Sequence, residues 1–195
     1  MSSQRSSKPS NPSNQSGLPR SSSASSSLSS HLAMIELKQR ILTGLSKLAD
    51  RDTYQIAVEE LEKIIQALSN DGVSMLLNCL YDAMNDPKLA VKKESIRLLA
   101  VLCTARIDSA ATHLTKIIAH IVKRLKDSDS QVSEACCDTV GSLSALYLKG
   151  GGGSDGVASL FVKLLFEVMG ENNKVAQGGA AMCIALGGRL FIWRI

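Results

Sequence analysis

Histidine and cysteine are the side chains of this chain with the richest chemistry, and their spacing argues against a site built on them. The cysteines are Cys79, Cys103, Cys136, Cys137 and Cys183. An odd number with no short paired spacing is not a disulfide framework and fits a reducing compartment. Cys136 and Cys137 are adjacent, so on a helix their side chains diverge by about 100° and cannot form a paired-ligand motif. His113 and His120 stand seven apart, near one helical face, without an acid or thiol at ligand spacing. Surface or hydrogen-bonded histidines are the plainer reading. The run Gly150-Gly151-Gly152-Gly153-Ser154-Asp155-Gly156 lacks the Lys-Ser/Thr of a phosphate-binding loop, and it follows a helical pattern rather than a strand. Glu59, Glu60 and Glu62 read as the solvated side of a helix. No nucleophile stands beside a base. The expectation is a binding module and not an enzyme, with no cofactor, no metal and no small-molecule substrate.

What remains is the chemistry of surfaces, which depends on the elements that present them. Thr53, Val91, Val132 and Val175 mark a repeat, with separations of 38, 41 and 43 residues. Four positions further on stand Ala57, Ser95, Cys136 and Gly179, all small. Eight further on stand Leu61, Leu99, Val140 and Cys183, and eleven further on Ile64, Leu102, Leu143 and Leu186. Offsets of four, eight and eleven return to one helical face, and the small residue lets a neighbouring helix approach closely. The upstream half repeats as well. Eleven positions before the anchors are Leu42, Leu80, Ile121 and Leu164, and eighteen before are Ile35, Val73, Leu114 and Val157. Fourteen before, three units have Leu77, Ile118 and Phe161, whereas the first has Gln39, as suits a capping repeat.

Each unit therefore reads as helix, polar turn, helix. The turns are Ala49-Asp50-Arg51-Asp52, Asn85-Asp86-Pro87-Lys88, Asp127-Ser128-Asp129-Ser130 and Glu171-Asn172-Asn173-Lys174. Their Asp, Asn, Ser and Pro residues are turn and N-cap chemistry. A period near 40 with two helices is the signature of HEAT or armadillo arrays. Armadillo units add a third short helix, and the short spacers favour HEAT. The expected architecture is all-α: a HEAT-repeat α-solenoid of about four hairpins over residues 31–186, with a Gly-rich connection near 150–156 and an atypical tail at 187–195. Gly187-Gly188 should end the last helix, and Leu190 to Trp193 would follow as an apolar run.

Residues 1–30 are rich in Ser, with Pro9, Pro12 and Pro19, and should be disordered because they cannot bury enough surface to offset ordering entropy. They contain Arg5, Lys8 and Arg20 and no acid, so three of the four net positive charges of the chain lie there. The remainder is close to neutral, which is not how a general nucleic-acid coat is built. The Ser-rich, basic composition also fits an organellar transit peptide, though a flexible tail is the simpler reading. No apolar run approaches a membrane span, and no secretory signal heads the chain.

Three long segments, HLAMIELKQRILTGLSKLADRDTYQIAVEELEKII, MLLNCLYDAMNDPKLAVKKESIRLLAVLC and HLTKIIAHIVKRLKDSDSQVSEACCDTVGSL, resemble the N-terminal domain of the TORTIFOLIA/SPIRAL family of plant microtubule-associated proteins. The likeness continues through LFEVMGENNKVAQGGAAMCIAL and covers roughly four fifths of the chain. It implies a TOG-like array of HEAT repeats that binds tubulin and microtubules and regulates cortical microtubule dynamics and directional cell growth, in the cytoplasm. Family members are much longer, and Gly187 to Ile195 does not match the expected continuation, so the chain reads as a truncated product.

In TOG-like arrays the turns inside the hairpins line one narrow face that meets tubulin. Carried onto this chain, the implied contacts are Arg51, Asp52 and Tyr54; Pro87, Lys88, Lys92 and Lys93; Ser130 and Gln131; and Asn173 and Lys174. Tyr54 stands near where many such domains have a Trp. The residues themselves point the same way. Lys88, Lys92 and Lys93 cluster at a helix start, where cations oppose the macrodipole, so something beyond local helix stability should keep them there. The alternative to microtubule binding is a general HEAT scaffold or adaptor for other proteins.

Overall fold

A computed structural model of the chain describes residues 22–148 and 154–191, and every regular element among them is a helix. In chain order these are α1 (Ser22–Lys47), α2 (Tyr54–Ala67), α3 (Asn70–Ala83), α4 (Leu89–Ala105), α5 (Ile107–Ala111), α6 (Leu114–Arg124), α7 (Ser130–Leu148), α8 (Ser154–Met169) and α9 (Lys174–Phe191). They form four hairpins, α1–α2, α3–α4, α6–α7 and α8–α9. The second helices stack on one another, α2 on α4, α4 on α7 and α7 on α9, while α1 packs on α3 and α6 on α8. This is the α-solenoid that the repeat demands. No described helix is long and apolar enough to cross a membrane.

The periodic positions are the core. Ala57, Ser95 and Cys136 are fully buried, Gly179 is buried, and Leu61, Leu99, Val140 and Cys183 lie beneath the surface beside them. Leu77, Leu80, Ile118, Ile121 and Phe161 fill the matching face of the first helices. Continuous aliphatic burial along the array is the main source of stability, since each hairpin alone leaves an apolar face uncovered.

Four local features differ from the pattern reading. First, α1 begins at Ser22, inside the segment 1–30 expected as a tail. A helix already held by packing extends upstream at little nucleation cost, and serine is only mildly unfavourable in it. Residues 1–21 lie outside the described region. Second, the linker after α4 contains a short extra helix, α5. Ala110 of α5 is fully buried, and Arg106 before it donates from Nε to the Leu68 carbonyl at 2.8 Å and from Nη2 to the Gln66 carbonyl at 2.7 Å. Those two carbonyls at the end of α2 lack intrahelical partners, so the guanidinium caps the helix of the preceding repeat. Third, α9 does not stop at Gly187-Gly188 but runs to Phe191. Two glycines cost a helix about 1 kcal/mol each, which weakens it without breaking it. Trp193 and its neighbours at 192–195 lie outside the described residues. Fourth, Glu62 is not merely solvated: it accepts from Arg97 Nη2 at 2.5 Å.

Leu99 has no exposed surface and sits between neighbouring repeats. Leu99→Ala should cost about 2–5 kcal/mol, read as a lowered urea midpoint with an unchanged slope. A loss under about 1 kcal/mol would mean that the second hairpin is not part of the cooperative core.

Candidate functional site

The four hairpin turns are built alike. Asp50 Oδ1 accepts the Asp52 N–H at 3.0 Å, Asp86 Oδ1 the Lys88 N–H at 2.8 Å, and Asp127 Oδ1 the Asp129 N–H at 3.1 Å. In the fourth turn Asn173 Oδ1 accepts from Val175 at 3.0 Å and Ala176 at 3.1 Å, capping α9. In each turn a short acceptor side chain stands in for a backbone carbonyl two or three residues upstream of the N–H it holds. The turn carboxylates are thus engaged by the backbone, and the side chains between them point outward.

Bonds one repeat apart bring the turns into a row. Tyr54 Oη donates to Glu94 Oε2 at 2.7 Å, Lys92 Nζ to Asp127 Oδ2 at 2.9 Å, and Lys93 Nζ to Gln131 Oε1 at 2.8 Å. Arg124 Nη1 reaches the Met84 carbonyl at 3.4 Å, and Lys126 Nζ pairs with Glu171 Oε1 at 2.7 Å. Burial, followed by the bond to Glu94, pushes the Tyr54 phenol up to about 12. The Lys92 ammonium beside Asp127 holds that carboxyl below the usual carboxylate range, against a smaller opposing effect of burial.

The residues implied as contacts divide into two sets. Arg51, Asp52, Pro87, Lys88, Ser130, Gln131 and Lys174 are exposed along the turn edge. Tyr54, Lys92, Lys93 and Asn173 are half-buried and committed to bonds within the solenoid. Lys92 and Lys93 sit at a helix start despite the macrodipole because each bridges to the next repeat. Tyr54 is likewise a strut between α2 and α4.

Three residues escaped the pattern reading. Lys123, Arg124 and Lys126 surround a shallow depression of about 460 Å3, completed by Lys92, Asp127 and Ser128 at the third turn. Burial, then Lys116, Lys123 and Arg124, lowers the His120 pKa. The signal in the sequence is the segment KRLKDSD. It is easy to pass over, because cations at the end of a helix complement its dipole and call for no further explanation.

Elsewhere the Tyr81 hydroxyl is buried without a hydrogen-bond partner. His120 stacks on Tyr81 with ring centroids 3.8 Å apart, and His113 Nε2 lies 3.2 Å from Ser74 Oγ. A groove of about 390 Å3 on the second helices holds both signs of charge, with Lys93, Arg97, Glu94, Glu134 and Asp138 along it. Among the described residues, no group of three or more His, Cys, Asp or Glu side chains could hold a metal ion.

Residues 35–186 match the family described as TORTIFOLIA1 N-terminal. The chain is 62% identical over 185 residues to the protein named Microtubule-associated protein TORTIFOLIA1 of Arabidopsis thaliana, covering 91% of this chain and 21% of that one. It is 53% identical to TORTIFOLIA1-like protein 1 of the same plant, covering 83% and 21%, and 41% identical to TORTIFOLIA1-like protein 2, covering 78% and 18%. The chain therefore spans about a fifth of the length of these relatives.

The pair Lys92–Asp127 sets a pH dependence. Because the folded Asp127 carboxyl has a depressed pKa, its stabilising effect is fully present above the unfolded value of about 4 and is lost as pH falls through the folded value. Asp127→Asn should therefore be less stable than the parent at pH 7, with the gap closing below about pH 4. A gap that stays constant down to pH 2 would mean that the carboxylate charge contributes nothing.

Proposed function

The chain belongs to the TORTIFOLIA1 N-terminal family, and on that premise we propose that its hairpin-turn edge binds microtubules. The observation that carries this reading is the line of exposed cations along the edge, Arg51, Lys88, Lys123 and Lys174, with Arg124 and Lys126 beside Lys123 at the third turn but bonded to the Met84 carbonyl and Glu171. Tubulin presents an acidic surface. A rigid row of cations spaced by the repeat would meet such a lattice at several points at once, and such complementarity sets register and encounter rate more than raw affinity. The chemistry is attachment rather than catalysis, so the module is read as non-enzymatic.

On this reading the protein acts on cytoplasmic microtubules of a plant cell, with cortical microtubules and directional growth as the setting in which its binding would act. Nucleic acid, membrane and small-molecule ligands have no part in this reading. The second reading, a scaffold for another protein, draws on the mixed-charge groove between Arg97 and Asp138.

Co-sedimentation with taxane-stabilised microtubules across a salt series tests the edge. The parent should pellet at low salt and release as salt rises, because exposed charges are screened over about 10 Å at 0.1 M. Lys88→Glu with Lys123→Glu should weaken low-salt binding about tenfold, whereas Lys63→Glu, at the far end of α2, should leave it unchanged. Absence of pelleting at low salt would sink the reading. Equal losses from both variants would assign the binding to net charge instead of the edge.

A further inference from the structure

The first hairpin departs from the second and third. In the second and third units the three matched positions of the first helix, Val73, Leu77 and Leu80 and then Leu114, Ile118 and Ile121, are buried. Their counterparts in α1 are Ile35, Gln39 and Leu42, and all three are exposed, Ile35 by 52% and Leu42 by 42%. Upstream on the same helix Leu28 and Leu32 are exposed by 64% and 65%. A terminal repeat that caps a solenoid presents a polar outer face. This one presents four large aliphatic side chains.

Their spacing is specific. Leu28, Leu32, Ile35, Gln39 and Leu42 are separated by four, three, four and three residues, the 3.5-residue period of a coiled-coil seam. The core-facing residues of α1, Ile41, Leu45 and Leu48 with the half-buried Leu37, lie on the opposite side. The helix thus has two apolar faces, and a partner on the outer one would point away from the solenoid body.

We propose that this outer face is a dimer seam, occupied by α1 of a second copy of the chain running parallel to it. A heptad seam is self-complementary in that orientation, because each layer meets its own copy. Leu28, Ile35 and Leu42 then form one set of layers, and Leu32 and Gln39 the other. A single amide among aliphatic layers fixes register, since any shift would bury Gln39 against a side chain that cannot bond it. The flanking residues are compatible with the same orientation. In the parallel arrangement His31 faces the partner's Glu36, and Lys38 faces the partner's Thr43. In the antiparallel register that pairs Leu32 with the partner's Leu42, Lys38 would face the partner's Lys38, and Glu36 the partner's Glu36, which is unfavourable in both places. From Leu37 onward α1 is already held by the core, so association does not have to order that part of the helix. Two heptads make a small interface, in the class below about 1,200 Å2, so the dimer is weak and concentration-dependent.

Sedimentation equilibrium of the full chain from about 1 to 200 µM tests this. The mass should rise from 20.8 kDa toward twice that value. Leu32→Asp with Ile35→Asp should stay monomeric throughout while keeping the parent's helical circular dichroism. Gln39→Cys should cross-link to a covalent dimer under mild oxidation in the parallel arrangement, where residue 39 meets its own copy. A monomer at every concentration overturns the proposal and leaves the face to a helix of another protein or to residues 1–21. A dimer that survives the double aspartate variant also overturns it, and places self-association at the other end of the array. A dimer lost in that variant but without the cysteine cross-link overturns the parallel orientation.

Discussion

Close approach of the second helices at a column of small side chains is the constraint on which the rest of the structure depends. Ala57, Ser95, Cys136 and Gly179 occupy this column, one per repeat, and all are buried. At Gly179 the fit is tight: a Cβ there would come within 2.8 Å of Ser133 Oγ and 3.0 Å of Leu125 Cδ2, so those side chains would have to shift. The polar atoms carried into this layer are satisfied inside it. Ser95 Oγ donates to the Val91 carbonyl at 2.7 Å, Thr139 Oγ1 to the Ile96 carbonyl at 3.3 Å, and Cys137 Sγ to the Gly179 carbonyl at 3.4 Å. Larger side chains in the column would separate the helices and open the aliphatic layers on either side, where the free energy of the fold resides.

With the second helices at this distance, the turns fall into register and the polar bonds between repeats become possible. Most of these lie at or near the surface, where a single ion pair contributes little to stability. The most enclosed ion pair between repeats, Lys92–Asp127, has side chains exposed by 20% and 11%. Their effect is chiefly geometric. They hold one turn against the next, so that the outward side chains of four separate hairpins form a single edge with fixed spacing. An edge of this kind is a property of the array and not of any one hairpin, and its rigidity comes from packing well away from it.

The ends of the array are governed by the same physics with the opposite result. An interior hairpin buries both faces against its neighbours, whereas a terminal hairpin leaves one uncovered. On α8 and α9, Val162, Phe166, Met169, Val175 and Met182 remain exposed. On α1 the uncovered side chains fall on a 3.5-residue period. The polar edge and the apolar ends therefore offer two kinds of surface on one scaffold, one responsive to salt and the other to burial.

Much of this was legible before any coordinates. The all-α array, its period, the small column and the four turns follow from residue types, because a helix that buries one face must repeat its apolar positions at helical spacing and a turn must recruit Asp, Asn, Gly or Pro. Other features were not. The short α5 has no periodicity of its own. The passage of α9 through Gly187-Gly188 reflects a penalty too small to outweigh the rest of the helix. The division of the turn cations into bridging Lys92 and Lys93 and exposed Lys88 and Lys123 cannot be read from charge, because a lysine looks the same whether its partner is water or a carboxylate 35 residues away. The sequence by itself determined which faces are apolar, where the chain turns and to which family it belongs. Only the tertiary structure decided which polar side chains join neighbouring repeats and which apolar stripe stays uncovered, because both depend on what lies one repeat away in space.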